Sequence, residues 1–351
     1  MTRICSWGTW VLIYFCIFLT SSAQFARAEG LVFRVLTLNI FAGKLEMDFE
    51  RLERQIQAIR ALELPDVIAL QEVFDERVKE RYREAFPEYE LIDSGKSQPH
   101  SMTSYRLYLV AQGVLQTSNR AFGVAQWING LREIFEGDTH GLTLLIKKQS
   151  GLVMPETKLV EKFEVQAAPT RPLKALESIK PKGFSMVELE IEGSRILLAN
   201  THLSNGVTNP RRIHQLKQIV KEIKRRDQAR GFSCPAIFCG DTNADGKQPE
   251  MKWLHGEAGF IDSYVVANPD LEKAPHKGNT WDNKNALTQG NLKEPDQRVD
   301  YVSIRPGERH EVEVLSSKLV FDAKPVSDHY GVLTEFRILP KCERLLVRRE
   351  R

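Results

Sequence analysis

The chain has 351 residues, 42% of them hydrophobic and 27% charged, and its 49 Lys and Arg residues nearly balance its 46 Asp and Glu residues. A chain of this length and composition can bury a large core, and we expect one large domain. The formal net charge of +3 gives no sign of a nucleic-acid-binding protein, although a local basic groove would be enough for that function.

The first 28 residues have the plan of a secretory signal peptide. Arg3 gives a positive start, Trp7–Thr20 is an apolar run without charge, and Ala26-Arg27-Ala28 supplies a cleavage site. We therefore expect cleavage after Ala28 and export, either to the periplasm or out of the cell. An uncleaved anchor is the alternative, but the apolar run is shorter than the ~20 residues that span a membrane. Cleavage leaves 47 basic residues against 46 acidic ones.

Three cysteines remain in the mature chain, at positions 234, 239 and 342. Five residues of extended strand between Cys234 and Cys239 span roughly 16 Å. That distance is far beyond the reach of a disulfide, so we expect these two thiols not to pair. Cys239 is predicted to be an ordinary core residue.

The hydrophobic pattern predicts alternating strands and helices along most of the chain. In chain order these are a strand at Leu31–Asn39, a helix from a cap at Asp48 to Leu62, a strand at Val67–Leu70, a helix over 75–86, a strand at Leu142–Ile146, paired strands at Phe184–Ile191 and Arg195–Asn200, a helix at Pro210–Arg226, a strand over 236–239, and late strands at Val299–Ile304 and Tyr330–Phe336. Because β-α-β successions and hairpins both occur, we expect a mixed sheet, or two packed sheets, with helices outside.

One further helical pattern, over residues 120–135, carries apolar side chains on a single face. They are Val124, Trp127, Ile128, Leu131, Ile134 and Phe135. An ordinary helix packed on the core is the favoured interpretation. The alternative is an amphipathic insertion that contacts a lipid surface.

Polar residues recur where the predicted strands end, and burying a polar group there costs free energy unless the group is used. They are Asn39, Glu72, His202, Asp241 with Asn243, Asp300, and Asp328 with His329. Any one of them could be a turn residue, a cap or a hydrogen-bonded core residue. Their recurrence at corresponding positions predicts a shared active site.

The acidic and amide residues of this set suit a magnesium phosphate site. Glu72 and Asp241 offer the hard oxygen ligands that Mg²⁺ prefers. Asn39 and Asn243 can ligate the metal or donate hydrogen bonds to a phosphate without repelling it.

The two histidines of the set suit proton transfer and charge stabilisation. His202 can donate to a phosphoryl oxygen as negative charge builds in the transition state. His329 can take a proton from water if a carboxylate orients its ring, and Asp300 is the best candidate for that carboxylate.

The segment Asp241-Thr-Asn243-Ala-Asp245-Gly246 also looks like the start of a calcium-binding EF-hand loop. Position 12 of such a loop should be a bidentate Glu, but here it is Lys252. An apolar run that is typical of a buried strand precedes Asp241, whereas an EF-hand needs a helix there. We therefore assign Asp245-Gly246 to the turn that leaves the site.

Six motifs together resemble the endonuclease/exonuclease/phosphatase superfamily. They are Leu-Thr-Leu-Asn39, Leu-Gln-Glu72-Val, Asn-Thr-His202-Leu, Gly-Asp241-Thr-Asn243, Arg-Val-Asp300-Tyr and Ser-Asp328-His329. The resemblance implies an α/β protein, a four-layer α/β/β/α sandwich of two mixed sheets flanked by helices, over residues 29–340. Within and after this domain we expect an insertion near 100–137 and a basic tail at 341–351.

The same resemblance implies metal-dependent phosphoester hydrolysis. Glu72 would be the main ligand of Mg²⁺, with Mn²⁺ or Co²⁺ as substitutes, and Asn39 and Asp328 would help to hold the metal. The implied catalytic residues are His329 as general base, Asp300 as its support, and His202, Asp241 and Asn243 around the phosphate and the attacking water.

Within the superfamily, two segments are similar to neutral sphingomyelinases. Thr280-Trp281-Asp282 is one, and the stretch from Glu177 to Lys182-Gly183 is the other, although Glu177 stands where those enzymes have Asp. Phe41 argues against abasic-site endonucleases, which carry an aspartate there. The alternatives without a role in catalysis are that Lys182 belongs to a charged turn before a strand and that Trp281 only forms the wall of its loop.

The favoured hypothesis is therefore a sphingomyelinase-like phospholipid hydrolase, with Lys182 and Trp281 contacting the substrate. It is expected to be a monomer with peripheral membrane contact through 120–135, and nucleic acid is the less favoured partner. A secreted nuclease or a phosphatase of soluble phosphoesters stays open, and a non-catalytic binding module is the least favoured interpretation.

Overall fold

The computed structural model describes residues 30–41, 48–94, 140–148, 157–165, 182–191, 193–205, 209–271, 277–288 and 294–340. The predicted signal peptide, the insertion with its 120–135 face, Glu177 and the basic tail lie outside these residues, so those expectations stay predictions. Within the described ranges, no helix is both long and apolar enough to cross a membrane.

The described part of the chain forms twelve strands and five helices. The strands are β1 (Leu31–Asn39), β2 (Val67–Gln71), β3 (Tyr89–Asp93), β4 (Thr143–Lys147), β5 (Leu159–Lys162), β6 (Gly183–Ile191), β7 (Ser194–His202), β8 (Ala236–Asp241), β9 (Ile261–Asp262), β10 (Asp300–Arg305), β11 (His310–Val320) and β12 (Gly331–Pro340). The helices are α1 (Phe49–Arg60), α2 (Glu76–Ala85), α3 (Asn209–Arg230), α4 (Pro249–His255) and α5 (Ser263–Ala267).

The strands form two six-stranded sheets. The first has the order β11-β12-β1-β2-β4-β3 and the second β5-β6-β7-β8-β10-β9. In each sheet one central pair is parallel, β1 with β2 and β7 with β8. The other pairs are antiparallel, so both sheets are mixed, as the sequence predicted.

The two sheets pack face to face, and their outer faces are covered by helices. Side chains such as Val67 and Leu198 fill the core between the sheets. Tyr82 of α2 packs on the outer face of the first sheet and Leu216 of α3 on that of the second. Each fully buried apolar side chain contributes about 1.5–3 kcal/mol. The α/β/β/α sandwich implied by the motifs is confirmed.

The helix starts follow the capping residues in the sequence. Asp48 accepts a hydrogen bond from the amide of Arg51, and Asp75 caps α2 in the same way. The third helix continues four residues past its predicted end at Arg226. Its apolar periodicity stops earlier, but Arg226 and Arg230 pair with Glu188 of β6 and hold the last turn on the sheet.

The hydrophobic pattern did not predict several short or edge elements, namely β3, β5, β9, β11, α4 and α5. Strand β11 is only partly buried and is held by its ladder with β12 rather than by an apolar face of its own. Helix α4 has seven residues, too few to show a periodicity, although Pro249 stands at its start.

Cys234 and Cys239 are both buried and free, as their predicted separation requires. Cys239 lies in the core between the sheets, and burial raises the pKa of its thiol.

Toward one end of the sandwich, the inward-facing side chains change from apolar to polar. Strand side chains alternate between faces, so each polar residue continues the inner face of its own strand. The series are Val35, Thr37 and Asn39 on β1; Ala69 and Gln71 on β2; Leu198, Asn200 and His202 on β7; Cys239 and Asp241 on β8; and Val302 and Asp300 on β10. A neutral layer comes first, in which Gln71 donates to Thr37 of its own sheet and to Asn200 of the other sheet.

Candidate active site

Strand register brings the predicted site residues to one edge of the sandwich. In the second sheet Asp241 lies directly between His202 and Asp300. From the first sheet, Asn39 Nδ2 donates to Asp241 Oδ2 over 3.0 Å. Asp241 is therefore the point at which the two sheets meet in the site.

The carboxylate of Asp241 is surrounded by hydrogen-bonding groups. Its Oδ2 lies 3.3 Å from His202 Nε2 and 3.9 Å from His329 Nε2. Burial and the charge of Asp300 raise the pKa of Asp241 to about 6, although His329, the Asn243 amide and Asn39 act in the opposite direction. A buried carboxylate with this environment favours a nearby positive charge.

His329 and Asp300 form a buried hydrogen-bonded pair. His329 Nδ1 lies 2.7 Å from Asp300 Oδ2. Burial alone would lower the pKa of His329, but the carboxylates of Asp300, Asp241 and Asp328 outweigh it and raise that pKa well above its usual value. The pair therefore fixes the ring with Nε2 toward Asp241, the orientation that the predicted general base requires.

Trp281 forms a wall beside this pair. Its ring meets the His329 ring edge to face, with centroids 5.1 Å apart and an interplanar angle of 71°. Isolated backbone bridges also connect Trp281 to Gln297 and His329. Trp281 is 9% exposed, so it shapes the site from the side of the loop that precedes β10.

Asn243 is held by the backbone around it. Its amide N–H donates to Asp241 Oδ1 over 2.8 Å, and its Nδ2 donates to the Leu203 carbonyl over 3.0 Å. The residue adopts a φ of 49°, a left-handed conformation that Asn tolerates. Asp245 accepts from the Lys247 amide, which makes it a turn residue. Strand β8 stands where an EF-hand would have its first helix.

Glu72 and Asp328 flank the site on the side of Arg51. Glu72 follows β2 with a φ of 65° and is partly exposed, whereas Asp328 is buried. Burial lowers the pKa of Arg51, and the charges of Asp328 and Glu72 oppose that shift, so this guanidinium lies in the field of both carboxylates. Ser327 Oγ donates to the Asn39 carbonyl over 2.6 Å and ties the Asp328 loop to β1.

Two residues of α1 that the sequence patterns did not single out hold the same loops. Gln55 Nε2 donates to the carbonyls of Ile40 and Val326, each over 2.8 Å. Arg51 Nη2 donates to the Phe41 carbonyl, and its guanidinium lies 4.6 Å from the centre of the Phe41 ring. The sequence signal that could have identified them is the occurrence of two polar residues, Arg51 and Gln55, four positions apart on the apolar face of a predicted helix.

Lys182 lies at the start of β6, next to the end of β7 that carries His202. Its carbonyl accepts from the Phe163 amide, and the Gly183 carbonyl accepts from Thr201 Oγ1 over 3.0 Å. A Cβ on Gly183 would approach the Glu161 carbonyl oxygen to 2.2 Å, so this position requires glycine. These contacts place the Lys182-Gly183 backbone near the site. Substrate contact by the Lys182 ammonium group stays a prediction.

The site fits a divalent cation. Asp241, Asp300 and His329, all buried, each present one potential ligand atom, and these atoms lie within 4.8 Å of one another. Asp300 Oδ1 is buried and has no hydrogen-bond partner among the described residues. Buried carboxylate oxygens without a proton donor are well suited to a hard cation.

The chain is similar to known proteins both in sequence and in fold. The profile of the Endonuclease/Exonuclease/phosphatase family matches residues 36–329. No curated protein matches the chain in sequence.

Several solved structures share the fold. A Danio rerio TDP2 structure, complexed with single-strand DNA product, is 17% identical and has a TM-score of 0.58 over 87% of this chain and 99% of that one. The human Nocturnin catalytic domain is 19% identical, with a TM-score of 0.52 over 88% and 96%. A Bacteroides thetaiotaomicron endonuclease/exonuclease/phosphatase family protein is 18% identical, with a TM-score of 0.54 over 88% and 98%. At these identities the likeness shows the fold alone.

Proposed function

The chain belongs to the endonuclease/exonuclease/phosphatase family, and from that premise we propose that it hydrolyses phosphodiesters with a divalent cation, Mg²⁺ being the preferred one. The observation that carries this proposal is the buried group of Asp241, Asp300 and His329, with the 2.7 Å bond between His329 and Asp300. A histidine oriented by a carboxylate is the arrangement that general base catalysis needs.

In the proposed reaction a water oxygen attacks phosphorus, the bond from phosphorus to the leaving oxygen breaks, and the leaving oxygen takes up a proton from solvent. His329 Nε2 takes the proton of the attacking water, and Asp300 stabilises the resulting imidazolium through Nδ1–H. His202 donates to a phosphoryl oxygen as negative charge increases. Asn39 keeps Asp241 oriented through its 3.0 Å hydrogen bond.

Asp241 and Glu72 would hold the divalent cation, with Asp328 and Asn39 beside them, which leaves Asp300 and His329 of the buried group for proton transfer. When bound, the cation supplies positive charge that offsets the charge of the phosphate. Arg51 adds fixed positive charge next to Glu72 and Asp328, which limits the mutual repulsion of these carboxylates.

We further propose that the substrate is a phospholipid, with a sphingomyelinase-like release of the phosphorylated headgroup. Three features support this specificity: the aromatic wall of Trp281 beside His329, the Lys182-Gly183 segment next to the end of β7, and the sequence signal for export. A peripheral membrane contact through residues 120–135 belongs to the same proposal.

The second candidate is a secreted nuclease or a phosphatase of soluble phosphoesters. It is favoured by the likeness to the TDP2 structure that contains a single-strand DNA product. The near-neutral charge of the mature chain argues against bulk attraction to nucleic acid, but a local groove would still bind it.

A substrate panel separates these candidates. The purified chain is incubated with Mg²⁺ and sphingomyelin vesicles, supercoiled plasmid or p-nitrophenyl phosphate, and each reaction is repeated with excess chelator. The phospholipid proposal predicts chelator-sensitive release of phosphocholine. Plasmid nicking without phosphocholine release, across several lipids, would overturn the lipid specificity and support the nuclease.

A further inference from the structure

Among the described residues, Thr280 occupies a place where β10 has no strand neighbour on the side away from β8. Strand β9 pairs with Ser303 and Ile304 of β10 and does not extend to Asp300. There, Thr280 Oγ1 accepts hydrogen bonds from the amides of Val299 and Asp300, over 3.0 and 3.1 Å. The Thr280 hydroxyl oxygen thus accepts the hydrogen bond that a carbonyl of a neighbouring strand would otherwise accept from the amide of Asp300, the residue that contacts His329.

The backbone of the same residue reaches the other member of the pair. The Thr280 carbonyl accepts from the Tyr330 amide over 2.8 Å, directly after His329. The Thr280 amide donates to the Gln297 carbonyl over 3.1 Å, so the residue is fixed from both sides. Thr280 is fully buried, and water does not compete for these bonds.

We propose that Thr280 is a positioning residue that sets the distance between Asp300 and His329. Its hydroxyl holds Asp300, the first residue of β10, and its carbonyl holds Tyr330, the residue after His329. The inference rests on the proposed function only for its catalytic consequence. Its structural content is that the 2.7 Å contact of His329 Nδ1 with Asp300 Oδ2 depends on the Thr280 hydroxyl.

Replacement by valine separates the effect of the hydroxyl from the effect of the side-chain shape. Thr280→Val keeps the volume and the β-branch but leaves the Val299 and Asp300 amides without their acceptor. Buried donors without a partner move toward another acceptor or toward water. Asp300 moves with its amide, and its side chain loses alignment with His329. Thr280→Ser keeps the acceptor and should keep the alignment.

Thr288 offers a matched control in the same loop. It is also buried, and its hydroxyl is also bonded to the backbone: its one proton is shared between the carbonyls of Asp282 and Asn285, each 2.8 Å from Oγ1. Neither bond involves Asp300 or His329. Thr288→Val therefore removes a buried hydroxyl that is bonded to two backbone groups, as Thr280→Val does, without touching the pair.

The structural arm of the test needs no activity. The low-field proton resonance of His329 Nδ1–H, assigned by its absence in His329→Gln, reports the hydrogen bond to Asp300. We expect Thr280→Val to shift or lose this resonance, while Thr280→Ser and Thr288→Val retain it. A parent-like resonance in folded Thr280→Val would overturn the proposal, as would its loss in Thr288→Val.

The kinetic arm tests the catalytic consequence. Misplacement of a catalytic group acts on the chemical step, so kcat of Thr280→Val should fall by about 10-fold or more while KM changes by about 2-fold at most. Both control variants should keep kcat within about 2-fold. Equal losses of kcat in Thr280→Val and Thr288→Val would mean a general structural role. If the parent hydrolyses no phosphodiester, the proposed function fails, but the resonance still decides the role of Thr280.

Discussion

At the residue scale, the site depends on a few side chains that each satisfy more than one neighbour. Asp241 receives Asn39 from the other sheet, lies 3.3 Å from His202 and also receives the Asn243 amide. Asp300 and His329 complete the set through one short contact. Because these groups are buried, their charges act on one another with little screening by water.

This coupling predicts the pH dependence of Asp300→Asn. In the parent, Asp300 contributes to raising the pKa of His329, so the neutral base forms only at higher pH. The amide lacks that charge, and the pKa of His329 should fall. The acid limb of the pH–kcat profile should therefore move to lower pH, while the plateau falls by about 10-fold or more because the imidazolium loses its support. An unmoved limb, or one moved to higher pH, would contradict this role.

The sequence located the residues that meet in the candidate site because they end strands that an apolar pattern reveals. Asn39, His202 and Asp300 all continue the inner face of such a strand. Gln55 was not recognised, and Thr280 was noted only within the Thr280-Trp281-Asp282 segment, because both contact backbone groups that are distant in the sequence. A threonine in a loop has the same local pattern whether or not its hydroxyl holds a catalytic residue.

At the element scale, close packing of β7 and β8 determines where Asp241 lies. Gly240 has a φ of 132°, and a Cβ there would lie 2.0 Å from the Thr201 carbonyl oxygen. No side chain fits this space without separating the two strands. Glycine is thus needed directly before Asp241 for both its backbone conformation and its lack of a side chain.

Gly240→Ala should therefore lower the free energy of unfolding by about 3 kcal/mol or more, since strain at φ and a backbone clash add. Gly259→Ala is the matched control, because Gly259 also has a positive φ, 77°, but a Cβ added there would have no atom within 4 Å. It should cost only about 1 kcal/mol. Urea unfolding measures both. Equal losses in the two variants would show that the contact with Thr201 is unimportant.

A second element-scale prediction concerns the ion pair before β10. Asp262 caps α5 through the Tyr264 and Val265 amides, and it accepts two hydrogen bonds from Arg298, over 2.8 and 2.6 Å. Burial would raise the pKa of Asp262, but the hydrogen bonds and charge of Arg298 outweigh it, and the pKa is lowered from 3.8. The stabilisation is therefore fully present above pH 3.8 and is lost as pH falls through the lowered pKa.

Asp262→Asn should lower the free energy of unfolding by roughly 3 kcal/mol at pH 7, because Arg298 is left buried without its partner. The difference from the parent should shrink as the pH falls below 3.8, where Asp262 of the unfolded parent takes up a proton, and should be lost once the pH passes the lowered pKa of the folded state. Denaturant unfolding of both proteins at several pH values checks this. A difference that stays constant with pH would mean that the cap, and not the ion pair, carries the effect.

At the scale of the whole molecule, the sandwich organises the site through the alternation of its strands. The core between the sheets is apolar at one end, passes through the neutral layer of Gln71, Thr37 and Asn200, and ends at the charged groups. A polar layer of this kind separates charges from the apolar core while every donor of Gln71 is used. It also ties the two sheets together directly below Glu72 and His202.

The fold was predictable because β-α-β successions, hairpins and six strand-end motifs all indicate the same architecture. The pairing of β11 and the placement of α4 were not, since they depend on neighbours rather than on their own pattern. The substrate is likewise not determined by the strand ends. In the proposed function the strand ends carry the chemistry at phosphorus, and we expect specificity to depend on loops such as those of Lys182 and Trp281.

The most direct test of the central claim is hydrolysis of a generic phosphodiester, bis(p-nitrophenyl) phosphate, by the purified chain with Mg²⁺ and with excess chelator. The parent should be active only with the metal, and His329→Gln should lower kcat by about 10²-fold or more. His214→Gln, at an exposed position on α3, should stay within about 2-fold of the parent. Chelator-resistant hydrolysis, or a fully active His329→Gln, would contradict the account.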